Sequence, residues 1–317
     1  MNHPTSVIGL GVMGQRMLGN MSRFTGFDPL VAWDPDPAAC ARTVALYPNI
    51  RIAANAAEAI TAADTRAVYI ASPPLHHREH ALAAFDANKA VWCEKPLGVD
   101  IADSEQLATH AQASKCVNIV NFSLASATAV EEIERRIASG EPGALAGVDI
   151  RMHFSQWPRA WQVDAANWLS YRADGGFTRE VLSHWVYLTE RLLGPATLES
   201  AHARYPGDEL AETHVSAQLT AGGLPVTIMG SVGGVGPDIV EYTLWGENTS
   251  YQVQDWNRFF YTNEGEWHEG LRDIGDPREI GYERQLHNAA AAVAGQTHSM
   301  PDFAAALSVQ KIIEAML

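Results

Sequence analysis

A glycine pattern near the amino terminus constrains the fold of this chain more than any other feature of its sequence. The segment VIGLGVMG ends a short apolar strand and opens a helix, with Gly9, Gly11 and Gly14 in a G-x-G-x-x-G arrangement. Each glycine has a physical task there: a tight turn, close approach of a pyrophosphate to the backbone, and close packing of helix on strand. The amide groups of Val12 and Met13, at the start of the helix, are positioned to bind phosphates.

An aspartate follows the second predicted strand, Leu30–Trp33. Asp34 lies twenty residues after Gly14, where a carboxylate accepts hydrogen bonds from the ribose 2′-OH of a bound dinucleotide. Asp36 comes next and the following arginine is Arg42, so a 2′-phosphate would meet negative charge without a close cation. The pattern favours NAD over NADP, and a helix N-cap is the alternative role of Asp34.

Strands and helices alternate along the first part of the chain. Short runs that are apolar on both faces, such as Ala67–Ala71 and Ala90–Cys93, are separated by helical segments. This alternation predicts an α/β domain over residues 1–122, a Rossmann fold with a doubly wound parallel sheet covered on both sides.

The pattern changes beyond residue 122. Apolar and polar residues alternate from about Gly147, Gly222-Gly223 marks a hairpin, and a strong helix is predicted over Phe177–Leu193. Residues 123–317 are therefore predicted to form an α+β substrate-binding domain. Helices are expected on only one face of its sheet. Because the other face would be covered by a second copy of the chain, we predict a homo-oligomer, either a dimer or a tetramer.

Composition excludes several classes of partner. The 317-residue chain is 47% hydrophobic and 19% charged, typical of a globular protein, and its formal charge of -15 opposes binding to nucleic acid or anionic membrane. It contains no run of about 18 apolar residues, so no membrane span is predicted. Three cysteines without metal-ligand spacing indicate a reducing cytoplasm.

Two loops follow strands at the sheet edge where the glycine turn lies. The loop SPPLHH brings Ser72, Pro73 and His77 to the border of a nicotinamide ribose, although a capping or surface position fits His77 equally well. The segment VWCEKPLG ends its strand with Glu94 and Lys95. A surface lysine after a strand is the alternative interpretation of Lys95.

These loops carry a family resemblance. The stretch that contains both loops, residues 71–98, resembles the hallmark segment of the glucose–fructose oxidoreductase / inositol dehydrogenase / rhizopine catabolism (Gfo/Idh/MocA) family of NAD(P)-dependent oxidoreductases. The matching residues are Pro73, Pro74, His77, Leu82-Ala83-Ala84, Lys89 and Glu94-Lys95-Pro96. The resemblance implies a Rossmann domain followed by an open, mostly antiparallel sheet domain with a substrate cleft between them. It also implies self-association and a lysine, here Lys95, that hydrogen-bonds the reacting oxygen, with Glu94 orienting the lysine or the cofactor.

The segment DGGFTREVLSHW resembles the family's glycine-rich turn and helix, in which an aspartate and a histidine face the nicotinamide. Aligned on Gly175 and Gly176, Glu180 takes the aspartate position and His184 the histidine position. Residues four apart project from one helix face, and histidine is the usual proton acceptor near neutral pH. Glu180 is one methylene longer than the aspartate. A buried polar pair at a domain interface is the alternative.

Aromatic residues precede this helix. Trp157, Arg159 and Trp161 combine flat apolar faces with a hydrogen-bonding group, which suits a polyhydroxylated ring, and packing at a domain junction is the equal alternative. Phe122 is a weaker candidate for the same substrate site. No third ligand accompanies His184 and Glu180, so no metal is predicted.

Together these residues predict an NAD-dependent oxidoreductase that interconverts a secondary alcohol and a ketone on a sugar or cyclitol. In this hypothesis Lys95 polarises the reacting oxygen of the substrate, His184 exchanges the hydroxyl proton and Glu180 orients the substrate. Two alternatives stay open: the same fold reducing an imine or oxidising a cyclic dihydrodiol, and a non-catalytic NAD-binding regulator. The presence of both Lys95 and His184 argues against the regulator, because a sensor needs no proton-transfer pair.

Overall fold

The computed structural model describes residues 2–272 and 274–317. The chain divides into two compact units, the first formed by Met1–Ala125 and Tyr282–Leu307, the second by Ser126–Gly281 and Ser308–Leu317. The change of pattern predicts one domain over residues 123–317, whereas residues 282–307 belong to the first unit. Hydrogen bonds explain the difference: Gln285 Nε2 donates to Asn121 Oδ1 at 2.7 Å, and the Phe303 amide donates to Asn118 Oδ1 at 2.9 Å.

The first unit contains a six-stranded sheet in the order β3-β2-β1-β4-β5-β6, with every neighbouring pair parallel. Its strands are β1 (His3–Ile8), β2 (Phe27–Trp33), β3 (Arg51–Ile52), β4 (Ala67–Ile70), β5 (Ala90–Cys93) and β6 (Asn118–Val120). The helices between them are α1 (Val12–Arg23), α2 (Pro37–Leu46), α3 (Ala56–Thr61), α4 (His77–Asp86) and α5 (Ile101–Ser114). This is the doubly wound parallel sheet that the alternating pattern predicts, and the prediction is confirmed.

Local signals explain why the helices of this unit begin where they do. Asp36 caps α2 by accepting hydrogen bonds from the amides of residues 38 and 39. At α3, the N-cap Asn55 accepts the Glu58 amide at 2.9 Å, while the Glu58 carboxylate accepts the amide of Ala54, the residue before the cap, at 2.8 Å. These caps satisfy amides that lack partners in the first helical turn, and they fix where each helix leaves the sheet.

The second unit contains an eight-stranded sheet in the order β14-β13-β12-β11-β7-β10-β9-β8, in which only the described pair β7 and β10 is parallel. Its strands are β7 (Leu145–Phe154), β8 (Ala196–Arg204), β9 (His214–Ala221), β10 (Leu224–Val232), β11 (Ile239–Gly246), β12 (Ser250–Gln254), β13 (Arg258–Thr262) and β14 (His268–Gly270). Its helices are α6 (Thr128–Ala138), α7 (Ala166–Leu169) and α8 (Ser183–Leu193). Most of α9 (Pro277–Val293) belongs to the first unit, and α10 (Phe303–Met316) begins in the first unit and ends in the second. A mostly antiparallel sheet is confirmed; α6, β8 and β12 to β14 were not predicted.

The two faces of this sheet differ. On β7, Val148, Ile150 and Met152 are buried, whereas Asp149 and Arg151 between them are exposed. Helix α8 packs on β8 and β9. On the polar face Met229 is 62% exposed. The Gly222-Gly223 hairpin joins β9 to β10 as predicted, with both φ angles positive. Self-association through the polar face stays a prediction.

Candidate dinucleotide and catalytic sites

The glycine turn of the first unit has space for a ligand where the pattern requires it. Gly9 has φ +94, and a Cβ there would lie 2.5 Å from the carbonyl group of Ala71. A Cβ on Gly14 would lie 2.0 Å from the Gly9 oxygen, whereas a Cβ on Gly11 would meet no described atom within 4 Å. The first and third glycines are therefore required by packing, and the second faces open space.

Helix α1 begins directly at this turn, at Val12. In the described chain, no side chain caps its start and no acidic residue lies in its first turn. The amides of Val12 and Met13, together with the positive end of the helix dipole, thus form an environment that favours an anion. The residues present fit the pyrophosphate of a dinucleotide.

Asp34 lies at the end of β2, and its carboxylate is held by the backbone. The Leu10 amide donates to Oδ2 at 2.6 Å and the Asp36 amide donates to Oδ1 at 2.8 Å. The bond to Leu10 ties the carboxylate to the glycine turn. Asp36 itself caps α2, and Arg42 approaches Asp36 at 3.7 Å. The N-cap considered for Asp34 is therefore supplied by Asp36.

The loop after β4 contains Ser72, Pro73 and His77. The Ser72 hydroxyl is buried and has no hydrogen-bond partner among the described residues, so it is a donor at the ligand edge of the sheet. Pro73 is exposed. His77 is fully buried, with Nδ1 2.8 Å from the Pro96 oxygen and Nε2 2.8 Å from the Ser72 oxygen. Both ring nitrogens thus face carbonyls of the chain itself, so His77 links the two loops, and its burial excludes the surface position. The cofactor contact considered for His77 stays a prediction.

Glu94 belongs to a buried polar network at the end of β5. Tyr69 donates a short hydrogen bond to Glu94 Oε1, and Asn121 Nδ2 donates to the same oxygen at 2.6 Å. Asn121 Oδ1 accepts from Trp92 Nε1 at 3.0 Å. Burial and the neighbouring Glu94 carboxylate raise the pKa of Tyr69, which stays a hydrogen-bond donor. The network fixes the segment that leads into Lys95, which is partly exposed and joined to Pro96 by a cis peptide bond.

Sequence reasoning missed most of this network. Tyr69 lies inside a strand that is otherwise apolar, and a buried tyrosine hydroxyl usually requires a partner. That was the available signal. Phe122, which follows Asn121, is 1% exposed.

In the second unit a glycine turn rests on a buried glutamate. Gly176 has φ +100, and a Cβ there would lie 2.2 Å from Glu212 Oε2. Glu212 Oε1 accepts the Thr178 amide at 2.8 Å, and the residue is 2% exposed. Burial raises the pKa of Glu212, against the opposing effect of hydrogen bonds from Thr178 and the nearby Arg179. No motif in the sequence points to Glu212.

Arg179 holds the same turn from another side. Its Nη1 donates to the carbonyl oxygens of Arg172 at 2.7 Å and Gly175 at 2.9 Å. Its Nε and Nη2 form a bidentate pair with Glu314 of α10 at 2.6 and 2.7 Å. Bidentate arginine–carboxylate pairs fix geometry strongly. The backbone that precedes Glu180 is therefore restrained at several points.

The predicted helix Phe177–Leu193 begins differently from the prediction. Thr178–Leu182 is a π-helical turn, and regular α-helix follows from Ser183. Such turns are often found at functional sites. The turn contains Glu180, and His184, which is 6% exposed, lies in the first turn of α8.

The aromatic segment before this helix contacts it through a glutamine. Arg159 Nε donates to Gln162 Oε1 at 3.0 Å, and Gln162 Nε2 donates to Glu180 Oε1 at 3.4 Å. The Arg159 guanidinium lies 4.8 Å from the Trp161 ring centre, and Trp161 is 48% exposed. Trp157 instead donates to the Leu169 oxygen at 3.0 Å, which favours packing over substrate contact for that residue.

Among residues 2–272 and 274–317, no three His, Cys, Asp or Glu residues cluster as metal ligands. None of the helices in these ranges has the length and apolar character needed to cross a membrane.

These features define a class: a Rossmann unit with a dinucleotide-type glycine turn, joined to a unit in which a mixed sheet supports a helix bearing a glutamate and a histidine. Residues 5–122 match the model of the Gfo/Idh/MocA group, described as an oxidoreductase family with an NAD-binding Rossmann fold. The resemblance to the Gfo/Idh/MocA family that the motifs indicate is therefore confirmed for the amino-terminal part of the chain.

The curated relatives match only part of the chain. Inositol 2-dehydrogenase 3 of Saccharopolyspora erythraea is 38% identical over 97 residues, 31% of this chain and 29% of that protein. Inositol 2-dehydrogenase of Mycolicibacterium gilvum is 36% identical over 104 residues, 32% of this chain and 30% of that protein. The matched stretch thus spans about three-tenths of the length of these relatives.

Solved structures match the fold along nearly the whole chain. The WlbA dehydrogenase of Bordetella pertussis, crystallised with NADH and UDP-GlcNAcA, has a TM-score of 0.82 at 19% identity. That match covers 99% of this chain and 94% of the other. At this identity the likeness establishes the fold of both units.

Proposed function

We propose that this protein is an NAD-dependent oxidoreductase acting on a secondary alcohol or ketone carbon of a sugar or cyclitol. One observation carries the proposal: Lys95 follows β5 at the sheet edge that also holds the glycine turn after β1 and Ser72 after β4. Ligands of open α/β sheets bind outside the carboxyl ends of the strands. An ammonium group at that edge would therefore lie where it can take part in a reaction at a bound nicotinamide.

In the proposed mechanism the bound nicotinamide supplies a two-electron acceptor for the substrate carbon. The Lys95 ammonium donates a hydrogen bond to the substrate oxygen and stabilises the negative charge that develops on it. His184 accepts the hydroxyl proton in oxidation and returns it in reduction. Glu180 binds a second hydroxyl and orients the ring.

NAD is the proposed cofactor. The carboxylate of Asp34 is fixed by two amides, and the side chain of Asp36 lies close by as the cap of α2. A 2′-phosphate would approach both negative charges, and Arg42 is already within 3.7 Å of Asp36. A ribose 2′-OH would instead donate to Asp34 at no electrostatic cost.

Cyclitols and sugars are favoured by the relatives. Several are named inositol 2-dehydrogenases, and one is a 1,5-anhydro-D-fructose reductase of Ensifer adhaerens. A less polar ring is a second candidate, because Trp161 exposes 48% of its surface beside Arg159.

The test is turnover, followed as NADH formation, on panels of inositols, hexoses and cyclic diols. We expect the polyol panels to give the highest kcat/KM and both Lys95→Ala and His184→Asn to lose most of it. Arg204→Ala, an arginine of β8 outside the proposed machinery, is the control and should retain wild-type turnover. Full activity in the Lys95 or His184 variant would refute the assigned roles, and activity confined to cyclic diols would favour the second candidate. Tight NAD binding without turnover on any panel would indicate a regulator.

A further inference from the structure

The turn between β12 and β13 holds a tryptophan in an uncommon backbone conformation. The two strands end at the pair Gln254 and Arg258, so three residues form the connection. Asp255 has φ +49 and Trp256 has φ +72, both in the left-handed region. Aspartate enters this region with relative ease, whereas for a large aromatic residue it is a genuine outlier that the surrounding structure must hold in place.

Ring contacts show what holds Trp256. Its indole lies 5.6 Å from the ring of Trp185, with the planes tilted by 41°. Trp185 in turn stacks on Tyr242 of β11 at 5.8 Å, and both of these rings are fully buried. The indole of Trp256 is thus the outer member of an aromatic column that starts in the core of the second unit.

The same indole contacts the proposed proton acceptor. The Trp256 and His184 ring centres are 5.1 Å apart, and their planes meet at 85°. This edge-to-face arrangement is a preferred geometry for aromatic pairs. His184 is 6% exposed, so the indole supplies part of the apolar wall around an imidazole that water scarcely reaches. Backbone outliers of this kind cluster where a side chain must be held for function.

We propose that Trp256 is a positioning residue for His184, holding the plane of the imidazole and shielding one side of it from water. The inference rests on the role proposed above for His184. A proton acceptor works only when its ring nitrogen is aimed at the hydroxyl, and a fixed ring avoids the loss of rate that comes from misorientation. Three charged residues lie nearby on the two elements involved: Glu180 before His184, and Asp255 and Arg258 beside Trp256. All three are retained in the Trp256 variants below.

The direct test is the pKa of His184, followed by NMR of its imidazole protons and assigned by their absence in His184→Asn. Burial disfavours the charged imidazolium, so admitting water in Trp256→Ala should raise the pKa of His184 by about half a unit or more. Trp256→Phe keeps an aromatic wall and should stay close to the wild-type value. Asn257→Ala changes the same turn without removing the indole or any of the three charges; it is the matched control and should keep the wild-type pKa. An unchanged or lowered pKa in Trp256→Ala would overturn the proposal.

A kinetic readout separates this inference from the proposed function. With NAD and myo-inositol, or the best polyol of the panel, Trp256→Ala should lose roughly three- to tenfold in kcat while KM for NAD stays unchanged. Trp256→Phe should recover most of the loss. If His184→Asn remains fully active, the proposed function fails whatever Trp256 does. If His184→Asn is inactive but Trp256→Ala keeps the wild-type pKa and kcat, the positioning role fails and the proposed function stands.

Discussion

Replacing Gly11 with alanine should separate cofactor binding from stability. The backbone of Gly11 has φ −72 and ψ −159, which alanine adopts readily, and the added Cβ would meet no described atom within 4 Å. Losing a glycine at a helix N-cap costs up to about 1 kcal/mol, and the stiffer unfolded chain offsets about 0.4–1 kcal/mol of that. The net change in unfolding free energy is therefore close to zero. In the binding mode proposed for the cofactor, the same methyl group would meet the pyrophosphate, so NAD should bind at least about tenfold more weakly, which corresponds to about 1.4 kcal/mol.

Gly14→Ala is the matched comparison. Its Cβ would lie 2.0 Å from the Gly9 oxygen, so the turn itself must move, at a cost of about 1–3 kcal/mol or more. Thermal unfolding without ligand and calorimetric titration with NAD measure the two effects separately. We expect the Gly11 variant to keep its Tm and lose affinity, and the Gly14 variant to lose both. Wild-type NAD affinity in the Gly11 variant would refute the assignment of this turn to the cofactor.

Three more perturbations test other parts of the structure. Asp34→Ala should lower kcat/KM with NAD roughly tenfold or more while affecting NADP less, because a charge-assisted hydrogen bond to ribose is lost; an unchanged NAD-to-NADP ratio would contradict it. Burial lowers the pKa of His77 from 6.5 to about 4, so the unfolded chain takes up a proton first and the native state loses stability as pH falls below about 6.5. By pH 4 the wild type should have lost about 3 kcal/mol of unfolding free energy that His77→Gln does not lose. Urea unfolding of both proteins across this pH range measures the difference, and parallel pH profiles for the two would contradict the prediction. Glu212→Ala leaves the Thr178 amide without its acceptor and should lower the unfolding free energy by about 2–4 kcal/mol. Glu212→Gln keeps a carbonyl acceptor and should lower it much less, and equal losses of Tm in the two variants would show that the hydrogen bond is unimportant.

The parts of the structure that sequence could predict are governed by local rules. The strand–turn–helix unit alone sets the constraints on Gly9, Gly11 and Gly14. The position of Asp34 is predictable because it ends β2, the strand that pairs with β1. The parallel sheet follows from short apolar runs separated by helices, since strands covered on both faces contain few polar positions. The alternation along β7 likewise predicted a sheet with one polar face. Each of these signals lies within about 30 residues of chain.

The parts that sequence could not predict depend on contacts between distant segments. Glu212 supports Gly176 from 36 positions away, and Trp256 meets His184 across 72 positions. Arg179 of the π-helical turn pairs with Glu314 of α10, and no local pattern links these two residues. Residues 282–307 join the first unit for the same reason, through hydrogen bonds such as that of Gln285. That Lys95 and His184 serve one substrate stays a prediction.

A common device emerges from the two units. Each proposed reacting side chain is preceded or supported by a carboxylate that is almost fully buried: Glu94 directly before Lys95, and Glu212 beneath the turn that leads to Glu180 and His184. Burying a carboxylate is costly unless it is hydrogen-bonded, and both accept such bonds from groups of their own unit. Because the acceptors bind a backbone amide or a structural side chain, they fix the main chain at the site before any ligand arrives. Burying these carboxylates lowers the stability of the fold but fixes the orientation of a few residues, and preorganised proton transfer requires such fixed orientation.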